Sequence, residues 1–116
     1  MILRNEPDVT DNEPFGLPSA ALVRIVEVLE SYPEIIRARL FGSRAKGNYR
    51  PGSDIDLCLD APRLSMRQRL EVENRLDDLL LPWKIDLVMQ QEIDNPALSE
   101  HVERVGALIF ERAGDR

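Results

Sequence analysis

Residues 40–59 read LFGSRAKGNYRPGSDIDLCL, and this stretch decides the fold of the chain. It opens at the end of an apolar run, passes through a basic loop over residues 42–53, and ends in alternating apolar and polar residues that include Asp54 and Asp56. An alternation with a period of two is typical of a β-strand that has one buried face. The stretch therefore predicts two strands joined by a loop, with both aspartates on the same face of the second strand.

The residues on either side of this stretch predict three helices and a third strand. The predicted elements are a helix over residues 19–31, strands over residues 35–41 and 54–59, a helix from Ser65 to Pro82, a strand over residues 83–89 and a helix over residues 96–105. The apolar stripe of the second helix is predicted to contain Met66, Leu70, Leu76 and Leu80, with Val72 and Leu79 at its sides. Residues 107–110 fit either a last short strand or a helical extension.

The order of these elements predicts the fold class. A loop between the first two strands suits antiparallel neighbours, whereas the helix between the second and third suits a parallel crossover. We therefore expect an α/β (α+β) domain with a small mixed β-sheet and helices packed on it. At 116 residues the chain is long enough for one such domain, over residues 17–116, preceded by a poorly ordered leader over residues 1–16.

Composition excludes several classes of partner. The net charge of −6 argues against direct binding of nucleic acid, because such binding depends mainly on basic residues that meet phosphates. The basic loop over residues 42–53 contains no acid. An acidic chain with one small basic loop suits a small phosphorylated ligand or a basic protein partner. No apolar run is long enough for a membrane span. The single cysteine agrees with a reducing cytoplasm.

Three aspartates predict a metal site. Asp54 and Asp56 lie on one strand face, about 6.5–7 Å apart along the backbone. Asp86 lies in the predicted third strand and would join them, as a third ligand or a base, if the two strands are neighbours. Like charges about 4 Å apart repel by about 4 kcal/mol at an effective dielectric of about 20. Such a group needs a cation or a raised pKa, and ligands that are all oxygen favour Mg²⁺ or Mn²⁺.

The loop supplies the features of a phosphate-binding turn. Gly42 lets backbone N–H groups approach a phosphate, and the Ser43 hydroxyl adds a donor. Arg44 and Lys46 could balance the charge of a nucleoside triphosphate. Taken singly, an Asp-x-Asp pair or a Gly-Ser turn is weak evidence. Together with Asp86 they favour a metal and phosphate site over an ordinary turn beside surface acids.

These residues resemble a known family. Gly42-Ser43, ten further residues and then Asp54-Ile55-Asp56 match the signature of the DNA polymerase β-type nucleotidyltransferase superfamily. The run from Leu40 through Leu57 is most similar to minimal nucleotidyltransferases, the group that includes MntA-type antitoxins. The resemblance covers about residues 19–112, and Asp86 stands where the family has its third aspartate.

The resemblance implies a fold, an activity and a site. The fold is that of the polymerase β-type nucleotidyltransferases, and the activity is transfer of a nucleoside monophosphate, usually AMP from ATP, to an acceptor hydroxyl. Two metal ions would be bound by Asp54, Asp56 and Asp86, which are also the implied catalytic residues. The implied nucleotide-binding residues are Gly42, Ser43, Arg44, Lys46 and Ser53. Lys46 stands where relatives often have arginine, which keeps the charge and loses bidentate geometry.

The resemblance also implies a partner. Minimal members pair with a small HEPN-domain protein, and some neutralise that toxin by adenylylating a tyrosine. Two alternatives remain open at this stage: a module that neutralises its partner by contact alone, and transfer to a small molecule such as an antibiotic. Because the short chain offers no wall on the acceptor side, we expect a partner, or a second copy in a homo-oligomer, to complete the site.

Overall fold

In residues 13–113, which the computed structural model describes, the chain is built on one mixed sheet. Its strands are β1 (Arg37–Phe41), β2 (Ile55–Asp60), β3 (Ile85–Met89) and β4 (Ala107–Glu111). They lie in the order β3-β2-β1-β4. β1 is antiparallel to β2 and β4, whereas β2 and β3 are parallel. The predicted mixed sheet and the directions of both predicted strand pairs are confirmed.

Four α-helices accompany the sheet within the same residues. They are α1 (Ser19–Glu30), α2 (Ser43–Lys46), α3 (Met66–Asp77) and α4 (Pro96–Val105). Ser65 begins α3 with a capping box, in which its hydroxyl accepts from the N–H of Gln68 at 3.1 Å and the Gln68 side chain accepts from the N–H of Ser65 at 3.0 Å. Asn95 caps α4 with its side-chain oxygen, which accepts from the N–H groups of Ala97 and Leu98. The helix starts predicted at both positions are confirmed.

Two layers of helix pack on the sheet. The main core lies between one sheet face and helices α1 and α3, and its fully buried strand residues are Ala38, Leu40, Ile55, Leu57 and Leu59. On the opposite face, Val102 of α4 packs against Phe41 and Cys58. Helix α4 therefore covers the middle of that second face. It leaves the ends of β2 and β3 that carry the three aspartates at least partly exposed.

The second predicted helix ends earlier than expected. The sequence pattern predicts a helix that continues to Pro82, but α3 ends at Asp77. Leu80 takes a left-handed conformation with a φ of +56° and is 86% exposed. A crossover helix must end where the chain can return to the parallel strand. The end of α3 is therefore set by the position of β3, and the leucines that follow Asp77 belong to the connection.

The predicted apolar stripe of this helix is wrong at Met66, Leu70 and Leu80 and confirmed at Leu76. Met66 and Leu70 are 63% and 52% exposed, whereas Val72 and Leu76 are buried. Val72 and Leu76 belong to the main core. Sequence periodicity shows that the helix has an apolar side but does not fix which of its apolar residues face the sheet.

The first element of the described residues is a short 3₁₀ turn, and the last is a strand. Residues 1–12 of the predicted leader lie outside the described residues, and Pro14–Gly16 form a single 3₁₀ turn before the fully buried Leu17. Residues 107–110, left open by the sequence, form strand β4 beside β1. The helices of residues 13–113 are too short and too polar to cross a bilayer.

Candidate active site

The register of β2 and β3 brings the predicted carboxylates together. Asp56 is the direct partner of Asp86 in the parallel pair, and Asp54 lies just before β2. Paired residues in adjacent strands point to the same face, and the strands are about 4.8 Å apart. Asp56 and Asp86 therefore lie side by side. The strand neighbourhood on which the predicted role of Asp86 depends is confirmed.

The carboxyl of Asp56 is affected by the charges of both other aspartates. Burial raises the pKa of its carboxyl, and the negative charges of Asp86 and Asp54 raise that pKa further. Asp54 is exposed, and Asp86 lies near one cation, since its Oδ1 atom is 3.6 Å from Nζ of Lys84. The charges of Asp54 and Asp86 give the cluster a negative potential at Asp56, which a divalent cation would relieve.

The donor set suits a hard cation, although the side chains are not gathered into a finished site. All three groups are carboxylates, the ligand type that Mg²⁺ and Mn²⁺ prefer. Within residues 13–113, no three or more acidic, imidazole or thiol groups are arranged as a ready metal site. Three like charges repel one another until a cation holds them. The backbone thus brings the three aspartates together. The role of Asp54, Asp56 and Asp86 as metal ligands stays a prediction.

Gly42 holds the loop against Asp56. It follows β1 directly and has a φ of +79° and a ψ of −155°, a region that glycine alone adopts readily. A Cβ atom at this position would lie 2.4 Å from Oδ2 of Asp56. The backbone of the turn therefore packs against the carboxylate, and both its conformation and this close approach require glycine.

Helix α2 carries three of the predicted phosphate-binding side chains, those of Ser43, Arg44 and Lys46. Ser43 is its first residue and is partly buried, whereas Lys46 is its last residue and is exposed. The helix closes at Gly47, which is left-handed with a φ of +90°. Ser43 thus lies one residue from the contact between Gly42 and Asp56. Lys46 places its charge in solvent at the far end of the helix.

Arg44 has an environment that the sequence does not predict. It is 2% exposed, and its guanidinium donates to the carbonyl oxygens of Phe15, Pro51 and Ser53 at 2.8–3.0 Å. The same group lies against the ring of Tyr49. A side chain enclosed in this way differs from the exposed triphosphate ligand that the loop pattern leads one to expect at this position.

Two aromatic residues to which the sequence assigns no role belong to the same cluster. The guanidinium of Arg44 is 5.6 Å from the ring centre of Trp83, and Nε1 of Trp83 donates to the carbonyl oxygen of Pro51 at 2.9 Å. The ring of Tyr49 packs on Gly16, where a Cβ atom would lie 2.3 Å from it. Tyr49 lies in the loop, but Trp83 lies in a different part of the sequence, so no local pattern indicated that both rings face Arg44.

Ser53 is engaged at the end of the loop. Its hydroxyl oxygen accepts from the N–H of Arg50 at 2.8 Å, and its carbonyl oxygen accepts from Arg44. Its neighbour in the chain is Asp54, so Ser53 anchors the entry to the carboxylate strand. Contact with a nucleotide stays a prediction for this residue.

Comparison with known proteins identifies the family of the chain. Residues 24–115 match the family described as "Polymerase beta, Nucleotidyltransferase". The chain belongs to this family and is a nucleotidyltransferase. MJ1217 of Methanocaldococcus jannaschii is 32% identical over 90 residues, which are 71% of this chain and 91% of that protein. MJ0126 of the same organism is 31% identical with the same coverage. Both relatives carry provisional names as protein adenylyltransferases.

Solved structures share the fold. A crystal structure of a toxin–antitoxin with AMP-PNP superposes with a TM-score of 0.65 and 26% identity, and the match covers 79% of this chain and 74% of that chain. A complex of tri-AMPylated Shewanella oneidensis HEPN toxin with its MNT antitoxin gives a TM-score of 0.60 at 23% identity, covering 80% and 71%. The polymerase β-type nucleotidyltransferase fold is confirmed.

Proposed function

We propose that this chain is a Mg²⁺-dependent adenylyltransferase that moves AMP from ATP to a hydroxyl group of a protein partner. The observation that carries the proposal is the register that pairs Asp56 with Asp86, beside the turn at Gly42. This arrangement brings an acidic cluster and a phosphate-binding turn to one place. The family supplies the reaction class, and the provisional names of both relatives support a protein as the acceptor.

The proposed reaction is an in-line displacement at the α-phosphorus of ATP. A bond forms between the acceptor oxygen and the α-phosphorus, and the bond from that phosphorus to the bridging oxygen breaks, so that pyrophosphate leaves with the electron pair. Two divalent cations, when bound to Asp54 and Asp56, would supply stabilisation of the charge on the transferred phosphate. Asp86 would complete the metal site or accept the proton of the acceptor hydroxyl.

The turn at Gly42 would bind the phosphates of ATP. The backbone N–H groups after Gly42 and the hydroxyl of Ser43 would bind phosphate oxygens. Lys46 would add a positive charge at longer range. Ser43 lies one residue from the contact between Gly42 and Asp56, and Lys46 lies at the other end of the same short helix. These groups would therefore hold the triphosphate beside the carboxylates.

The proposed acceptor is a tyrosine of a HEPN-domain toxin, which would make this chain the antitoxin of a pair. The support comes from the solved relatives, one a toxin–antitoxin structure with AMP-PNP and one containing a tri-AMPylated HEPN toxin. In residues 13–113, helix α4 covers the middle of the carboxylate face and leaves the aspartate end open. The toxin, or a second copy of this chain, would close that end.

A label-transfer experiment tests this function. The purified chain is mixed with ATP labelled at the α-phosphate, Mg²⁺ and the purified product of the adjacent gene. We expect label on a tyrosine of that product, none after EDTA is added, and at least a 100-fold lower rate for Asp54→Asn, about the scale of losing one preorganised electrostatic group. ATP labelled at the γ-phosphate is the control, because that label must leave as pyrophosphate.

The outcomes distinguish adenylyl transfer from neutralisation by contact alone. Absence of label from every protein would overturn the adenylyltransferase proposal. If Asp54→Asn still neutralises the toxicity of the adjacent product in cells, neutralisation occurs by contact and does not need transfer.

A further inference from the structure

Arg44 connects three segments of the chain around the proposed nucleotide site. Its Nη1 donates to Phe15 of the N-terminal turn at 2.8 Å, its Nη2 to Pro51 at 3.0 Å and its Nε to Ser53 at 3.0 Å. Hydrogen bonds from a charged donor are stronger than neutral ones, and a planar guanidinium fixes their directions. One side chain therefore sets the relative positions of both ends of the loop.

The residues that Arg44 connects adjoin the two halves of the site. Arg44 directly follows Ser43, which begins the phosphate-binding turn, and it holds the carbonyl of Ser53, which directly precedes Asp54. Asp54 lies outside β2, so its own position is not fixed by membership of the strand. The hydrogen bond to Ser53 therefore fixes the residue before Asp54 at a set distance from Ser43.

Burial argues against a direct contact of Arg44 with phosphate. The side chain is 2% exposed and lies against the rings of Tyr49 and Trp83. To reach a triphosphate it would have to break three hydrogen bonds to carbonyl oxygens, and hydrogen bonds from a charged donor are costly to lose. Lys46, exposed at the end of the same helix, could approach an anion without such a loss.

We propose that Arg44 is a positioning residue, which fixes the spacing between the phosphate-binding turn at Ser43 and the carboxylate at Asp54 without contacting the nucleotide. The inference rests on the proposed adenylyl transfer for its kinetic consequence. Its structural part, the arrangement of carboxylates that bind a cation, can be measured without any turnover.

The test compares the same substitution at two positions of one loop. Arg44→Lys keeps the charge and loses the three-way donor geometry, whereas Arg50→Lys changes an exposed arginine outside the site. For Arg44→Lys we expect kcat to fall about 100-fold, as for a displacement of about 1 Å in a reacting group. The KM for ATP should change by less than about threefold, since no ground-state contact is lost. Arg50→Lys should match the wild type in both.

Two further measurements do not depend on transfer. Binding of Mn²⁺ alone, followed by the EPR signal of the free ion, should be weaker in Arg44→Lys than in the wild type and unchanged in Arg50→Lys. Trp83 is the single tryptophan, and its fluorescence should change in Arg44→Lys alone. If the wild type transfers no label, the proposed function fails, and these two measurements still decide the role of Arg44.

Specific results would overturn the inference. A KM for ATP raised about tenfold or more with kcat retained would make Arg44 a phosphate ligand. A lower melting temperature with wild-type kcat and Mn²⁺ binding would make its role one of stability only. If Arg44→Lys does not fold, Trp83→Phe removes the hydrogen bond to Pro51 and should lower kcat about tenfold at unchanged KM. Wild-type kcat in Trp83→Phe would then overturn the proposal.

Discussion

Replacing Asp56 with asparagine should lower the rate of nucleotidyl transfer by about 1000-fold and, in metal-free buffer at neutral pH, raise the melting temperature of the protein. Asp56 is the carboxylate that faces both Asp86 across the strand pair and the backbone of Gly42. Loss of one preorganised electrostatic group costs about 10²–10³-fold in rate. We expect a loss at the upper end of this range, because asparagine keeps the shape of the side chain and removes the charge that would bind a cation.

The gain in stability follows from the direction of the pKa shift. Burial, then Asp86 and then Asp54 raise the pKa of Asp56 above its value in the unfolded chain. The native state therefore holds this proton more tightly, so stability falls as the pH rises through the two pKa values and stays lower above them. At neutral pH the charged carboxylate opposes folding, and asparagine removes that effect. For partly exposed charges the gain is about 0.5 kcal/mol, or about 2–4 °C.

Thermal unfolding as a function of pH and Mg²⁺ checks this prediction. The difference between Asp56→Asn and the wild type should shrink as the pH falls below about 4, where an unfolded aspartate is itself protonated. Added Mg²⁺ should raise the melting temperature of the wild type more than that of the variant. Asp60→Asn is the matched control, since Asp60 lies on the same face of β2 and pairs with Arg37. Asp60→Asn should be less stable than the wild type and transfer the nucleotide at the wild-type rate.

Two results would contradict the assignment of Asp56. Near wild-type transfer by Asp56→Asn would remove this residue from the catalytic group. A lower melting temperature in metal-free buffer would mean that the carboxylate makes a stabilising contact that outweighs its repulsion from Asp86 and Asp54.

The placement of Asp54 and Asp56 on one face could be predicted from the sequence because it depends on strand geometry alone. Alternation places Asp54 and Asp56 on one face, and the buried Ile55 and Leu57 on the other confirm that phase. The place of Asp86 was conditional, since it required β2 and β3 to be neighbours. The crossover helix made that arrangement favourable, and the register then paired Asp86 with Asp56.

The parts that sequence missed depend on contacts distant along the chain. The burial of Arg44 is made possible by carbonyl oxygens of Phe15 and Pro51, and no local pattern indicates that these face one guanidinium. The prediction of the buried face of α3 was wrong at Met66 and Leu70 for a related reason. Its choice between Met66 and Val72 is made by the position of the sheet, which periodicity within the helix does not contain.

Replacing Gly42 with alanine should lower both the rate of transfer and the stability of the protein. The new Cβ atom would lie 2.4 Å from Oδ2 of Asp56, a distance at which one of the two must move. A displacement of about 1 Å in a reacting group costs about 100-fold in rate. The backbone conformation at Gly42 adds strain of about 1–3 kcal/mol for alanine. We therefore expect loss of both kcat and stability, measured by label transfer and by urea unfolding.

Two other glycines of the same loop separate the clash from the strain. Gly47 has a φ of +90° and a Cβ atom there would meet no other atom within 4 Å, so Gly47→Ala carries strain of about 1–2 kcal/mol and no contact with the carboxylate. Gly52 has neither a left-handed φ nor a close atom, and Gly52→Ala should match the wild type. If the contact with Asp56 is what transfer requires, Gly47→Ala loses stability and keeps its rate below its melting temperature. Equal loss of rate in Gly42→Ala and Gly47→Ala would instead assign the effect to loop strain and leave the contact with Asp56 without a catalytic role.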